Sequence, residues 1–89
     1  MNAPLIPAMP ALNRRFRLQW EDAQQAYVLL YPEGMVKLNA SAGEILACCD
    51  GVRSVDEIVA VLEAKFETSG LRADIEHFLA YASQQQWIV

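Results

Sequence analysis

The fold is decided by residues 26–39, which read AYVLLYPEGMVKLN. The first half of this stretch is aromatic and branched-chain with apolar residues on both faces, which is typical of a strand. The second half alternates, so that Val36 and Leu38 share one face. Between the two halves, Pro32 presets the backbone for a tight turn and Gly34 tolerates the exit from it. The stretch therefore predicts an antiparallel β-hairpin.

A further strand is predicted before the hairpin. Residues 15–20 alternate, with Phe16, Leu18 and Trp20 on one face and polar side chains on the other. A short polar segment makes the turn that connects this strand to the hairpin. The sheet is therefore predicted to be a three-stranded meander in sequence order, which leaves the last strand, residues 35–39, at an edge.

Beyond the sheet the apolar period changes from two to about 3.6, which predicts helices. Ser41 with Glu44, and Ser54 with Glu57, have the spacing of capping boxes and mark the starts of two helices. Gly51 suits the left-handed position that ends the first of them. The helices thus follow the strands instead of alternating with them.

A third helix is predicted over residues 71–85, and residues 87–89 are expected to pack back on the domain. The apolar stripes of the three helices comprise Ala42, Ile45, Leu46 and Cys49; Val55, Ile58, Val59, Leu62 and Phe66; and Leu71, Ile75, Phe78, Leu79 and Ala82. The predicted fold is α+β, a three-stranded antiparallel β-meander followed by three α-helices in a winged helix-turn-helix-like arrangement. We predict one domain over residues 12–89 and a flexible N-terminal tail over residues 1–11.

Charge divides the chain into two unlike halves, although the net charge is only −4. Residues 1–39 carry four basic and three acidic side chains, whereas residues 40–89 carry three basic and eight acidic ones. An acidic helical half suits a phosphate backbone poorly, so we expect no nucleic-acid partner. The one basic cluster is interpreted as the solvated side of the first strand, with docking of a partner as the alternative; it comprises Arg14, Arg15 and Arg17.

Catalytic and metal-binding motifs are not found in the sequence. Ser, His and carboxylates never have the spacing of a triad, and no Gly-rich loop or metal-ligand pattern occurs, so we predict no enzyme, metal or cofactor. Cys48 and Cys49 are interpreted as buried apolar residues, Cys48 at the border of its stripe. His77 fits a surface position, and a contact with a bound peptide stays open. Without a signal peptide or a membrane span, the cytoplasm is the simplest location.

Several short motifs occur together in a distinctive order along residues 10–89. They are Leu29-Leu30-Tyr31-Pro32-Glu33-Gly34, Leu38-Asn39, Ala42, Ile45-Leu46, Asp50-Gly51 and Trp87. In this order and spacing they resemble the PqqD family of pyrroloquinoline quinone biosynthesis. The resemblance implies a non-catalytic domain that binds the precursor peptide PqqA and presents it to the radical SAM enzyme PqqE, which cross-links a Glu and a Tyr of PqqA.

The resemblance also implies where the peptide binds. The peptide is expected to add as a strand to the sheet edge, in a groove beside the third helix. Mapped by element, the peptide-binding residues are Met35, Val36, Lys37, Leu38, Asn39, Arg72, Ile75, Glu76 and Leu79. An edge strand offers unpaired N–H and C=O groups that an extended peptide can complete. Lys37 is expected to discourage indiscriminate strand pairing and to attract an acidic peptide.

Two functions from other classes stay open at this point. A winged-helix DNA-binding regulator would read DNA with the third helix. A helix that enters the DNA groove normally carries net positive charge. The third helix instead has one basic residue, Arg72, and two acidic ones, Asp74 and Glu76. A small redox protein would depend on Cys48 and Cys49. The exposed edge strand also leaves a homodimer open, including a segment-swapped one.

Overall fold

The computed structural model describes residues 5–89, which form one sheet and three helices. The strands are β1 (Arg17–Glu21), β2 (Ala26–Tyr31) and β3 (Gly34–Lys37), and the helices are α1 (Ala40–Ala47), α2 (Val55–Lys65) and α3 (Arg72–Gln84). The sheet is antiparallel throughout, in the order β1-β2-β3. The predicted α+β class and the meander are confirmed.

One face of the sheet packs against the helices. Leu18, Leu29 and Val36 are cross-strand neighbours on this face, and Leu29 is completely buried. Tyr27 lies on the same face against Gly43 of α1, where an added Cβ would come within 2.6 Å of the Tyr27 ring. Only glycine, which has no Cβ, permits this close approach. Helix α1 lies over β1 and β2, and its backbone makes no close contact with β3.

Helix α1 begins earlier than predicted. Asn39 Oδ1 accepts a hydrogen bond from the Ala42 backbone N–H at 2.8 Å, so Asn39 is the N-cap and the predicted Ser41–Glu44 capping box is wrong. Glu44 instead accepts a hydrogen bond from Lys65 Nζ of α2 at 2.6 Å. Asn caps a helix as well as Ser does. With Asn39 as the N-cap, only two residues separate β3 from α1.

Helix α2 begins with the predicted capping box. Ser54 Oγ accepts from the Glu57 backbone N–H at 3.1 Å, and Glu57 Oε1 accepts from the Ser54 backbone N–H at 2.8 Å. Gly51 has a φ of +78°, as expected for a left-handed position, although α1 already ends at Ala47. The two cysteines therefore lie in the connection between α1 and α2, not in the helix.

The N-terminal segment runs beside the C-terminus. Ala11 N–H donates to Val89 O at 3.0 Å, Val89 N–H donates to Ala11 O at 2.8 Å, and Pro10 is fully buried. The predicted packing of the C-terminal residues on the domain is thereby confirmed. The predicted flexible tail, residues 1–11, thus includes packed residues; its first four residues lie outside the described part of the chain, and its mobility stays a prediction.

Candidate functional site

Strand β3 is an edge strand, and within residues 5–89 its outer side has no partner strand. Leu38 N–H donates to Tyr27 O of β2 at 3.2 Å. Hydrogen-bonded pairs alternate along an antiparallel ladder, so Val36 bonds to β2 as Leu38 does. The backbone N–H and C=O groups of Met35 and Lys37 therefore point away from the sheet, towards any further strand.

A groove separates β3 from α3, and we call it the β3–α3 groove. No Cα atoms of these two elements come within 8 Å of each other, and the space between them includes a cavity of about 480 Å³. Val36 lines the cavity from the sheet, and Tyr81 and Gln85 line it from α3 and its C-terminal end. The other lining residues are Asn13, Arg15, Phe16, Tyr31, Glu33, Gln86 and Trp87.

Two aromatic pairs line the β3–α3 groove. Phe16 and Tyr31 have ring centroids 5.7 Å apart on the sheet side. Tyr81 and Trp87 pack edge to face at 5.5 Å on the other side, and Tyr81 is 48% exposed. Large aromatic rings offer contact area at little cost in side-chain entropy. A partly exposed aromatic wall beside an unpaired strand edge suits an extended peptide whose alternate side chains enter the groove.

The five predicted site residues on and after β3 have different roles. Met35 and Lys37 are exposed, with side chains on the sheet face opposite the helices, whereas Val36 faces the groove. Leu38 is buried in the core, and the side chain of Asn39 caps α1. The structure therefore leaves the first three available to a ligand.

The four predicted site residues on α3 do not line the β3–α3 groove. Ile75 and Leu79 are buried in the core, with exposed fractions of 3% and 0%. Arg72 lies towards α2, where it contacts Asp56 at 2.7 Å, and it also contacts Glu76 at 3.0 Å. This pairing also removes the one arginine that a DNA-reading α3 would need.

Tyr81 and Gln85, which do line the groove, are absent from the predicted site. Tyr81 follows Ile75 by six residues, which places it about 120° around the helix from the buried stripe. An aromatic side chain so far from the stripe has no place in the core. That position is the signal in the sequence that points to Tyr81 as a contact residue.

The basic residues without an ion pair lie in the strand half of the domain. Arg53, Lys65 and Arg72, the cations of the helical half, each form an ion pair with a carboxylate. Among residues 5–89, four other basic residues form no ion pair: Arg14, Arg15, Arg17 and Lys37. Arg15 lines the groove itself. An acidic side chain of a bound segment would meet complementary charge at Arg15, and Glu33 lines the same groove.

The two cysteines are free and buried, as predicted. Burial raises the pKa of both thiols, and the pKa of Cys49 rises to about 12. Cys49 Sγ also donates to Ile45 O at 3.4 Å. Because the thiolate is the nucleophile and the metal ligand, these positions suit packing, not redox chemistry. Within residues 5–89, no cluster of three or more His, Cys, Asp or Glu side chains is suited to a metal ion.

Raising the pH from about 9 towards 12 is expected to lower the free energy of unfolding through Cys49. Its pKa is higher in the folded state, so its contribution is complete below the unfolded pKa of about 9 and is lost as the pH approaches 12. Urea unfolding across this range should show a steeper loss in the wild type than in Cys49→Ala. Equal slopes would contradict burial of this thiol.

None of the helices within residues 5–89 has the length and apolar content needed to cross a bilayer.

His77 is exposed on α3, as predicted for a surface position.

Comparison with known proteins supports the resemblance noted in the sequence. Residues 26–88 match the model of the family described as coenzyme PQQ synthesis protein D (PqqD). The chain belongs to the PqqD family. A relative from Pseudomonas paraeruginosa, named PqqA binding protein, is 54% identical over 89 residues, which cover 99% of this chain and 97% of the relative. A PqqA binding protein from Azotobacter vinelandii is 49% identical with the same coverage.

A solved structure of a PqqD protein has the same fold. It is the solution NMR structure of the PqqD truncation of Methylobacterium extorquens PqqCD, described as a functional, stand-alone recognition element for ribosomally synthesized and post-translationally modified peptides. The TM-score is 0.73 at 25% identity, covering 100% of this chain and 99% of that one. The PqqD fold predicted from the sequence is thereby confirmed.

Proposed function

We propose that this protein binds the precursor peptide PqqA in the β3–α3 groove and presents it to the radical SAM enzyme PqqE in the cytoplasm, without catalysing a reaction itself. The observation that carries the proposal is the outward-pointing backbone of Met35 and Lys37 beside an aromatic groove. The PqqA-binding names of close relatives support the choice of peptide.

The direction of the free backbone groups sets a register for the bound peptide. Two peptide residues would pair with Met35 and Lys37, and the residue between them would lie opposite Val36. Side chains directly opposite each other in neighbouring strands are about 5 Å apart at Cβ. This intermediate side chain would therefore enter the groove between Val36 and Tyr81. Backbone pairing then supplies affinity, and the groove supplies selectivity.

Electrostatic attraction would favour acidic segments of the peptide. Arg15 lies in the groove, whereas Arg14 is exposed and Arg17 lies on the opposite face of the sheet, in register with Leu30. These side chains are solvated, so their attraction is expected to weaken as salt is added. Added salt should therefore slow association of the peptide. The backbone hydrogen bonds to β3 should depend on salt only weakly.

Replacing Tyr81 with Ala is expected to weaken binding of a synthetic PqqA peptide about fivefold, because one aromatic contact contributes roughly 0.5–1.5 kcal/mol. Fluorescence anisotropy with a labelled peptide measures the affinity. Backbone amide spectra recorded during the titration should show the largest shifts in β3 and around Tyr81 and Trp87.

Phe66→Ala is the matched control for this experiment. Phe66 is also a half-exposed aromatic residue at a helix end, but it lines a separate cavity among α1, α2 and α3. The control should bind the peptide as the wild type does. A loss of affinity in Phe66→Ala alone would move the site to that cavity, and a salt-sensitive complex with duplex DNA but not with peptide would favour the DNA-binding function.

A further inference from the structure

Asn13 links the segment before β1 to the C-terminal segment at one end of the β3–α3 groove. Its Nδ2 donates to Gln86 O at 2.8 Å, and its Oδ1 accepts from the Arg15 backbone N–H at 3.1 Å. Its backbone N–H donates to Trp87 O at 2.8 Å, and its C=O accepts from the Phe16 N–H at 2.9 Å. All four partners line the groove. Asn13 is thus bonded to both sides of one cavity.

Gln86, whose carbonyl accepts the bond from Asn13, has an unfavourable backbone conformation within a turn closed by the Trp87 N–H bond to Ala82 O at 2.8 Å. Gln86 has a φ of +62°, in the left-handed region that side chains other than glycine rarely adopt. This residue turns the chain out of α3 so that Trp87 packs against Tyr81 at 5.5 Å and Phe78 at 6.3 Å. The orientation of the aromatic wall therefore depends on a turn whose carbonyl is held by Asn13.

We propose that Asn13 is a positioning residue for peptide binding, which holds Trp87 and Tyr81 in their groove-lining arrangement before a peptide arrives. The inference rests on the proposed function. A wall that is already ordered spares the complex the entropy cost of fixing these side chains on binding. Asn13 lies outside both β3 and α3 and is 73 residues from Gln86, so it acts through tertiary structure alone.

Two variants test this role with the same PqqA peptide. Asn13→Asp keeps the shape of the side chain and an acceptor for the Arg15 N–H, but it cannot donate to Gln86 O. Asn13→Ala removes both side-chain bonds. Each variant is expected to bind the peptide roughly fivefold more weakly, because the wall must now be ordered on binding. The NMR signal of the Trp87 indole N–H in each peptide-free variant should also differ from that in the peptide-free wild type.

Ser54→Ala serves as a control for loss of stability. It removes the N-cap of α2, which lies outside the groove, and N-cap loss commonly destabilises a protein. At a temperature where all variants are folded, Ser54→Ala should bind the peptide like the wild type. Weakening that matched the loss of stability in every variant, Ser54→Ala included, would reduce Asn13 to a structural residue and overturn the inference.

The inference and the proposed function fail in different ways. Wild-type peptide affinity in both Asn13 variants overturns the positioning role and leaves PqqA binding intact. Failure of the wild-type protein to bind the peptide overturns the proposed function. In that case an unchanged Trp87 indole signal in the free variants would overturn the role of Asn13 in the wall as well.

Discussion

Proline at Lys37 is expected to weaken binding of the PqqA peptide tenfold or more while the domain stays folded. The Lys37 N–H points away from the sheet, so the substitution removes a donor that only an incoming strand would use. The proline ring would also occupy the place of that strand. Proline is tolerated on an edge strand when its nitrogen faces solvent. Affinity from anisotropy and the midpoint of thermal unfolding measure the two effects separately.

Proline at Val36 is the matched control, one residue away on the same strand. The Val36 N–H bonds to β2, so its loss leaves a buried carbonyl of Leu29 unsatisfied, which costs about 1–3 kcal/mol. Val36→Pro should therefore lower the unfolding midpoint, by roughly 4–8 °C for each kcal/mol. Lys37→Pro should leave the midpoint close to that of the wild type.

The comparison decides whether the peptide binds as an added strand. Strand addition requires that Lys37→Pro lower the affinity at an unchanged unfolding midpoint, whereas Val36→Pro lowers the midpoint. If Lys37→Pro binds the peptide as tightly as the wild type, the peptide does not pair with β3. Binding would then depend on the aromatic residues of the groove alone.

The strands and helices could be predicted because each follows from a local pattern. The apolar run of β2 predicted a strand with two apolar faces, and Val28 and Leu29, which lie on opposite faces, are both almost fully buried. The spacing of Ser54 and Glu57 predicted the start of α2 for the same local reason. The error at Ser41 arose because Asn39, two residues earlier, is an equally good N-cap.

The α3 half of the site could not be predicted in the same way. An apolar stripe shows which side of a helix is buried, but it does not show which neighbour each flank of that stripe faces. Arg72 and Tyr81 lie on opposite flanks, and only the tertiary arrangement brings Tyr81 to the groove and Arg72 to α2. The bonds of Asn13 to the C-terminus are likewise set by long-range packing.

Alanine at Gly43 is expected to lower the free energy of unfolding by about 2 kcal/mol, although alanine favours helix. The helix propensity gain is about 1 kcal/mol, whereas overpacking a core contact costs up to about 3 kcal/mol. The higher cost applies because the new Cβ would lie 2.6 Å from Cδ2 and 2.9 Å from Cβ of Tyr27. The backbone fixes the position of the Cβ atom in both residues, so a change of side-chain rotamer cannot relieve the contact between them. Urea or thermal unfolding measures the loss, expected to be roughly 10 °C in midpoint.

Ser41→Ala is the control on the same helix. Ser41 is exposed, so this substitution should change stability by less than about 0.5 kcal/mol. Equal stability of the two variants would mean that α1 does not rest on Tyr27. Because α1 follows β3 with only Leu38 and Asn39 between them, a displaced α1 would also move the end of the peptide-binding edge. Gly43→Ala is therefore expected to weaken peptide binding as well as the fold, and Ser41→Ala to change neither.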